Sequence, residues 1–382
     1  CCCLYWALAL VLGLVGSRAL AAPLAEGAER GSLRATPANV SRYEWWPGCE
    51  GPYDGDGFTN CGAECCNCGL VDAFRVYNRQ CQYTALAFPS RGGNDSQVVN
   101  LTAWWLPADV ELEHRPAVVL QHGMSGSIND MRVQLLAFLL RSVGFSVLLP
   151  NLRDHGTAGN SSHGLRSWSG DYAYDLLGAW DYAYDLLGAW DYAVADPGGL
   201  LGGPREPRHV GIMGISMGGY VAAAAFGLEH RAPALWLDGP VSGPRDLVRH
   251  RLSGRAGPLA ALVEGPAWAL ARRFSGLRPV LHEPSEVLPR GPRRGRPVML
   301  LQSRDDTSVP QSMADRYVEI FSNPPGLYNL STNFTMGGRC AEHSHNVLQF
   351  LQSVAYRQGL CDFWSAALLQ THCSAPELPF LR

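Results

Sequence analysis

Lysine is missing from this 382-residue chain, in which all 31 basic residues are arginine. Arginine is abundant alongside alanine, glycine and proline, the pattern GC-rich coding produces, so the arginines by themselves carry no function. A surplus of either charge is also lacking. The formal net charge is −3, which gives no reason to expect nucleic acid or an anionic membrane surface as partner. The longest apolar run, Leu4 to Gly16, is short for a membrane span. The cysteine spacing Cys61-x3-Cys65-Cys66-x-Cys68 matches no common zinc pattern, so no metal is expected.

What is present points to export. The run from Leu4 to Gly16 suits the apolar core of a signal peptide, and Ala19-Leu20-Ala21 supplies a small-residue cleavage site. Residues 1–21 are therefore read as a signal peptide whose start is truncated. An uncleaved membrane anchor is the rival, and the Ala-, Ser- and Arg-rich stretch 22–42 would also suit a bipartite plastid signal. Sequons begin at Asn39, Asn94, Asn100, Asn160, Asn329 and Asn333, and together they favour a secretory route. Beyond Cys1, Cys2 and Cys3, nine of the 12 cysteines remain. Six of them crowd between Cys49 and Cys81, and the others are Cys340, Cys361 and Cys373. In an oxidising compartment the cluster reads as a disulfide knot, and because nine is odd at least one thiol is free or pairs outside the chain. Residues 22–80 thus form a Cys-rich extension, and 81–382 the main domain.

Within that domain, Tyr83–Phe88 and Val98–Trp105 flank a turn at Arg91–Asp95 and predict an antiparallel hairpin at a sheet edge. Buried-strand runs follow at Ala117–Leu120, Phe145–Leu149, His209–Met213, Ala234–Leu237 and Pro297–Leu301, with a weaker one at Leu327–Leu330. Helix-like stretches between them imply a doubly wound, mostly parallel α/β sheet with helices on both faces. The Pro-, Gly- and Arg-rich stretch at about 240–296 interrupts the alternation after the sixth strand. With helix-like pieces near Leu259–Val263 and Trp268–Ala271, it is read as a helical lid. Residues 171–180 recur identically at 181–190. On one helix the two copies would be displaced by about 15 Å and face about 80° apart, so both cannot bury the same stripe. The expectation is that one copy is dispensable.

The chemistry centres on Gly214-Ile215-Ser216-Met217-Gly218. A strand pattern leads in and the helix-forming run Tyr220–Ala225 leads out, the context a nucleophile elbow needs. A serine hydroxyl requires a histidine base and an acid that orients it. The acid should follow a later strand and the base the last one. Ser303-Arg304-Asp305-Asp306-Thr307-Ser308-Val309-Pro310 follows the strand ending at Leu301, and Glu342-His343-Ser344-His345 follows the final strand. Gln121-His122-Gly123-Met124 follows the third strand, and Arg153-Asp154-His155-Gly156 the fourth.

With these motifs, from 117 to about 365, the chain resembles the α/β-hydrolase superfamily in its branch of serine esterases and serine-aminopeptidase-like enzymes. The D-x-x-V-P motif of that family puts the acid on Asp306, not its neighbour Asp305. Its small residue after the base favours His343, while the distance to the final helix suits His345 as well. The resemblance implies an oxyanion hole of two backbone N–H groups, on Met217 after the nucleophile and on Met124 after the His122-Gly123 pair. His122 then braces that loop, and Arg153–Gly156 marks the fold. Ser303 departs from the family, which often has glycine there. The implied activity is cofactor-free hydrolysis of a small-molecule carboxylic ester through an acyl-enzyme, with a peptide bond as the alternative substrate. A non-catalytic secreted binding protein on the same scaffold is the reading from another class.

Overall fold

The computed structural model describes residues 83–92, 98–123, 126–128, 130–153, 155–159, 179–257, 260, 262, 264–266, 283–291, 294–336, 345, 346, 348 and 353–373. The expected signal peptide, the Cys-rich extension and the first copy of the repeat up to Gly178 lie outside the described residues, as does 267–282 of the insertion.

Continuous apolar runs become the central strands, because a parallel strand covered on both faces has no polar side. These strands are β3 (Ala117–Gln121), β4 (Ser146–Pro150), β5 (Val210–Ile215) and β6 (Leu235–Asp238), and every residue in them is buried. At one edge, β1 (Thr84–Pro89) alternates, burying Leu86 and Phe88 between exposed Ala85, Ala87 and Pro89. It pairs antiparallel with β2 (Asn100–Leu106), which pairs antiparallel with β4. At the other edge lie β7 (Arg296–Ser303) and β8 (Tyr328–Thr335), both parallel to the centre. Among the described residues the order is β1-β2-β4-β3-β5-β6-β7-β8, the doubly wound arrangement expected. The weakest strand signal, Leu327–Leu330, grows into the eight residues of β8. Its Asn, Ser and Thr residues face solvent at the sheet edge, which hides it from a search for apolar runs.

Successive side chains point to opposite faces, so the sheet feeds two cores. Ala117, Val119, Ile212 and Val298 pack with helices α2 (Ala179–Ala195), α3 (Met217–Leu228) and α5 (Gln311–Ser322). Val118, Leu120, Met213 and Ile215 pack with α1 (Met131–Ser142) and α6 (Ser353–Trp364). A disulfide joins Cys361 of α6 to Cys373.

In the insertion, α4 (Pro244–Ala256) forms ahead of the two helix-like pieces expected from the sequence. Pro244 starts the helix because its first turn needs no N–H. Of the expected piece at 259–263, residues 260 and 262 are described and helical, and the piece near 268–271 lies outside the described residues. Arg245 and Arg249 each bond Glu264 at 2.8 Å. The second copy of the repeat occupies α2 and buries Tyr182, Leu186 and Trp190. Its Asp185 meets Arg153 in a buried ion pair at 2.7 Å.

Candidate active site

The site gathers at the carboxyl ends of the central strands, the usual position for ligands in open α/β sheets. Between β5 and α3 the chain reverses at Ser216, whose φ of 54° and ψ of −125° lie outside the common regions for a residue with a side chain. Three backbone hydrogen bonds hold it there. Ser216 N–H donates to the Asp238 carbonyl at 3.0 Å, and the Ser216 carbonyl accepts from Gly219 at 3.0 Å and Val241 at 3.2 Å. The flanking glycines are required by close approach. A Cβ on Gly218 would strike the carbonyl oxygens of Gln121 and His122, and one on Gly214 would strike the carbonyl of Gly218.

Asp306, in the turn after β7, is buried. Its Oδ1 accepts from the N–H groups of Ser308 at 2.8 Å and Val309 at 2.9 Å. Its Oδ2 lies 2.6 Å from Nδ1 of His345, and Nε2 of His345 lies 2.8 Å from the Ser216 hydroxyl. A carboxylate only accepts, so Nδ1–H donates to Asp306 and Nε2 is left to accept from the serine. Asp305 instead accepts the Ser303 hydroxyl, which separates the two adjacent acids by what they touch.

Of the two candidate histidines, His345 is the one described, and it reaches both Asp306 and Ser216. One imidazole already spans the gap from Asp306 to Ser216, and the other Asp306 oxygen is taken by backbone donors. His343 lies outside the described residues, as does Met124. Met217 is buried at the first position of α3, where helical geometry leaves its N–H without an intrahelical partner.

His122 lies in the loop after β3 and is buried. Its Nδ1 lies 2.8 Å from the Gly123 carbonyl, and its ring lies 5.2 Å from that of His155. His155 in turn meets Tyr182 edge-on at 5.6 Å. Burial, with His155 adding to it, pulls the His122 pKa down to about 3, so the ring is neutral. Three residues that no sequence signal singled out lie behind the histidine: Asp238, Asn346 and Tyr356. Asp238 ends β6, and both its carboxylate and its carbonyl are used in hydrogen bonds.

The insertion begins beside Ser216, whose carbonyl accepts the Val241 N–H. His250 of α4 lies 2.9 Å from the carbonyl of Thr307, next to Asp306. Among the described residues no group of three or more His, Cys, Asp or Glu side chains could hold a metal ion.

No family model matches the sequence, and no curated protein matches it. Solved structures do match the fold. The Pyrococcus furiosus esterase Pf2001 is 16% identical with a TM-score of 0.51, over 75% of this chain and 92% of its own. An acylaminoacyl peptidase of Pyrococcus horikoshii is 14% identical with a TM-score of 0.52, over 80% of this chain and 45% of its own. DcsB, solved with a substrate analogue, is 16% identical with a TM-score of 0.50, over 75% of this chain and 99% of its own. The chain thus has the α/β-hydrolase fold, the class to which the strand order and the strained serine after β5 both point.

Proposed function

We propose that this protein is a serine hydrolase that cleaves a carboxylic ester of a small molecule through an acyl-enzyme. The observation that carries the reading is the single imidazole of His345, hydrogen-bonded at once to Ser216 and to Asp306. In this mechanism the Ser216 oxygen attacks the ester carbonyl while His345 Nε2 takes its proton. Asp306 keeps the proton on Nδ1 and offsets the positive charge that forms on the ring. The Met217 N–H, with that of Met124, receives the charge developing on the carbonyl oxygen. His345 then protonates the departing alcohol. A water molecule, deprotonated by the same nitrogen, attacks the acyl-serine and releases the acid. No cofactor or metal is needed for any of these steps.

A peptide or arylamide bond is the second substrate class, because the same groups serve both and an acylaminoacyl peptidase shares the fold. The 240–296 insertion, which begins beside the nucleophile, acts as the lid that sets specificity. A non-catalytic binding protein would not need all three groups aligned.

The route of the protein is proposed to be secretory. The Cys361–Cys373 disulfide suits an oxidising compartment, and the sequon residues Asn100, Asn329 and Asn333 are all exposed. No helix among the described residues is long and apolar enough to cross a membrane.

A panel of p-nitrophenyl esters and aminoacyl-arylamides tests the activity, with Ser216→Ala alongside. Ester turnover that disappears in the variant is the expected result. Arylamide turnover alone would move the substrate to a peptide, and turnover unchanged in Ser216→Ala would overturn the mechanism.

A further inference from the structure

A second carboxylate stands behind the histidine, and the acyl-transfer steps do not use it. Asp238 is 2% exposed, and burial pushes its pKa above the usual carboxylate range. Keeping such a group in a core is costly unless its hydrogen bonds are filled. Here they are filled by residues from two separate segments. The Tyr356 hydroxyl of α6 donates to Oδ2 at 2.8 Å. The Asn346 amide donates to Oδ1 at 3.2 Å and to the Asp238 carbonyl at 2.8 Å. That same carbonyl accepts the N–H of Ser216 at 3.0 Å.

Asn346 is the residue after His345. It is 2% exposed, and its φ of 52° is one that asparagine tolerates better than most residues. The approach to it is tight. Gly239, itself at a φ of 53°, would carry a Cβ 2.8 Å from the Asn346 amide nitrogen and 3.5 Å from the His345 ring. The bond from Asp306 to Nδ1 is a single contact at one corner of the imidazole. It leaves the ring free to pivot about that corner while the proton moves between serine and leaving group. A fixed backbone at 346 narrows where the base of the ring can sit.

We infer that Asp238 is a positioning residue for the histidine: through the Asn346 amide it locks the left-handed turn that holds His345 between Asp306 and Ser216. The elbow serine and the histidine loop are thereby hung from one residue at the end of β6. The inference rests on the reading of His345 as the base.

The test is the rate of covalent labelling of the full chain by a fluorophosphonate, which reports serine activation without a known substrate. Asn346→Asp sets two carboxylates face to face and is expected to slow labelling by about 100-fold. Asp238→Asn is expected to slow it by about tenfold. The exchange variant carrying both substitutions restores the side-chain amide–carboxylate pair, though not the bond to the residue-238 carbonyl, and should recover about threefold over Asn346→Asp. Tyr356→Phe disturbs the same buried carboxylate without touching Asn346, and should stay within about threefold of the parent. Single variants that label at the parent rate would overturn the inference. So would an exchange variant with no recovery, or Tyr356→Phe as slow as Asn346→Asp, since either would mean general loss of packing. If Asp238→Asn does not fold, Asn346→Gly decides the matter, because glycine keeps the positive φ and removes only the tether; labelling slowed by about tenfold supports the inference, and the parent rate contradicts it. His345→Ala in the same series separates the two claims. Retained labelling there sinks the base assignment, while lost labelling beside normal Asp238 and Asn346 variants sinks only the positioning role.

Discussion

Ser216 occupies a backbone conformation that costs of the order of 1–3 kcal/mol, and its surroundings hold it there. The strain turns the hydroxyl out of the elbow towards His345, so the single-residue predictions concern that pair. His345→Ala should lower ester turnover by about 10⁴-fold or more. His343→Ala should leave it near the parent rate, because one ring already fills both bonds; the paired kinetic measurement decides. His122 carries a pH prediction of its own. The unfolded chain protonates histidine near its ordinary value of 6.5, whereas the folded one does so only at about 3. Between those limits the unfolded state binds more protons, so stability falls as pH falls. From pH 6.5 to 5 the loss amounts to about 2 kcal/mol. Glu229, which Arg231 and Arg91 bring down to about 2 against the opposing effect of burial, loses its contribution only below its ordinary 4.5. Thermal melts from pH 7 to 5 should therefore fall more steeply for the parent than for His122→Gln, and equal slopes would contradict the neutral buried ring. Ser216 and Asp306 were legible in the sequence as candidates because each lies inside a compact motif, and the structure brings both to one imidazole. The choice of histidine was not, since two candidates two residues apart differ only in how the loop turns. That turn depends on Asp238, more than 100 residues away in sequence, with no local pattern to announce it.

Helix α2 is the element on which the duplication acts. Its second copy buries Tyr182, Leu186 and Trp190, and Trp190 donates its indole N–H to the Val210 carbonyl of β5 at 2.9 Å. Deleting 171–180 or 181–190 gives the same shortened chain, and the copy that is left has the same residues to place against the sheet. The shortened chain is therefore expected to fold, with a melting temperature within a few degrees of the parent. Failure to fold would show that both copies are needed. Asp185→Ala is a different matter, because it leaves the Arg153 guanidinium buried without its carboxylate. It should cost about 3–5 kcal/mol in urea unfolding, and a loss under about 1 kcal/mol would argue that the pair is solvated. Periodicity revealed the buried strands of the sheet centre, where apolar runs are unbroken. It missed α4, where polar residues outnumber apolar ones and leave a weak stripe, and it undersized β8, whose outer edge is polar.

Across the whole molecule, the strand order brings together residues far apart in the chain. The turn after β5 supplies Ser216, that after β7 supplies Asp306, and the segment after β8 supplies His345. The end of β6 lies between them and ties two of the three. The central claim is that these groups form one activated nucleophile, and mass spectrometry of the full chain after fluorophosphonate treatment tests it most directly. The predicted result is a single adduct on Ser216, lost in Ser216→Ala and strongly slowed in His345→Ala. Folded protein that takes no label, or that takes it on another residue, would contradict the account.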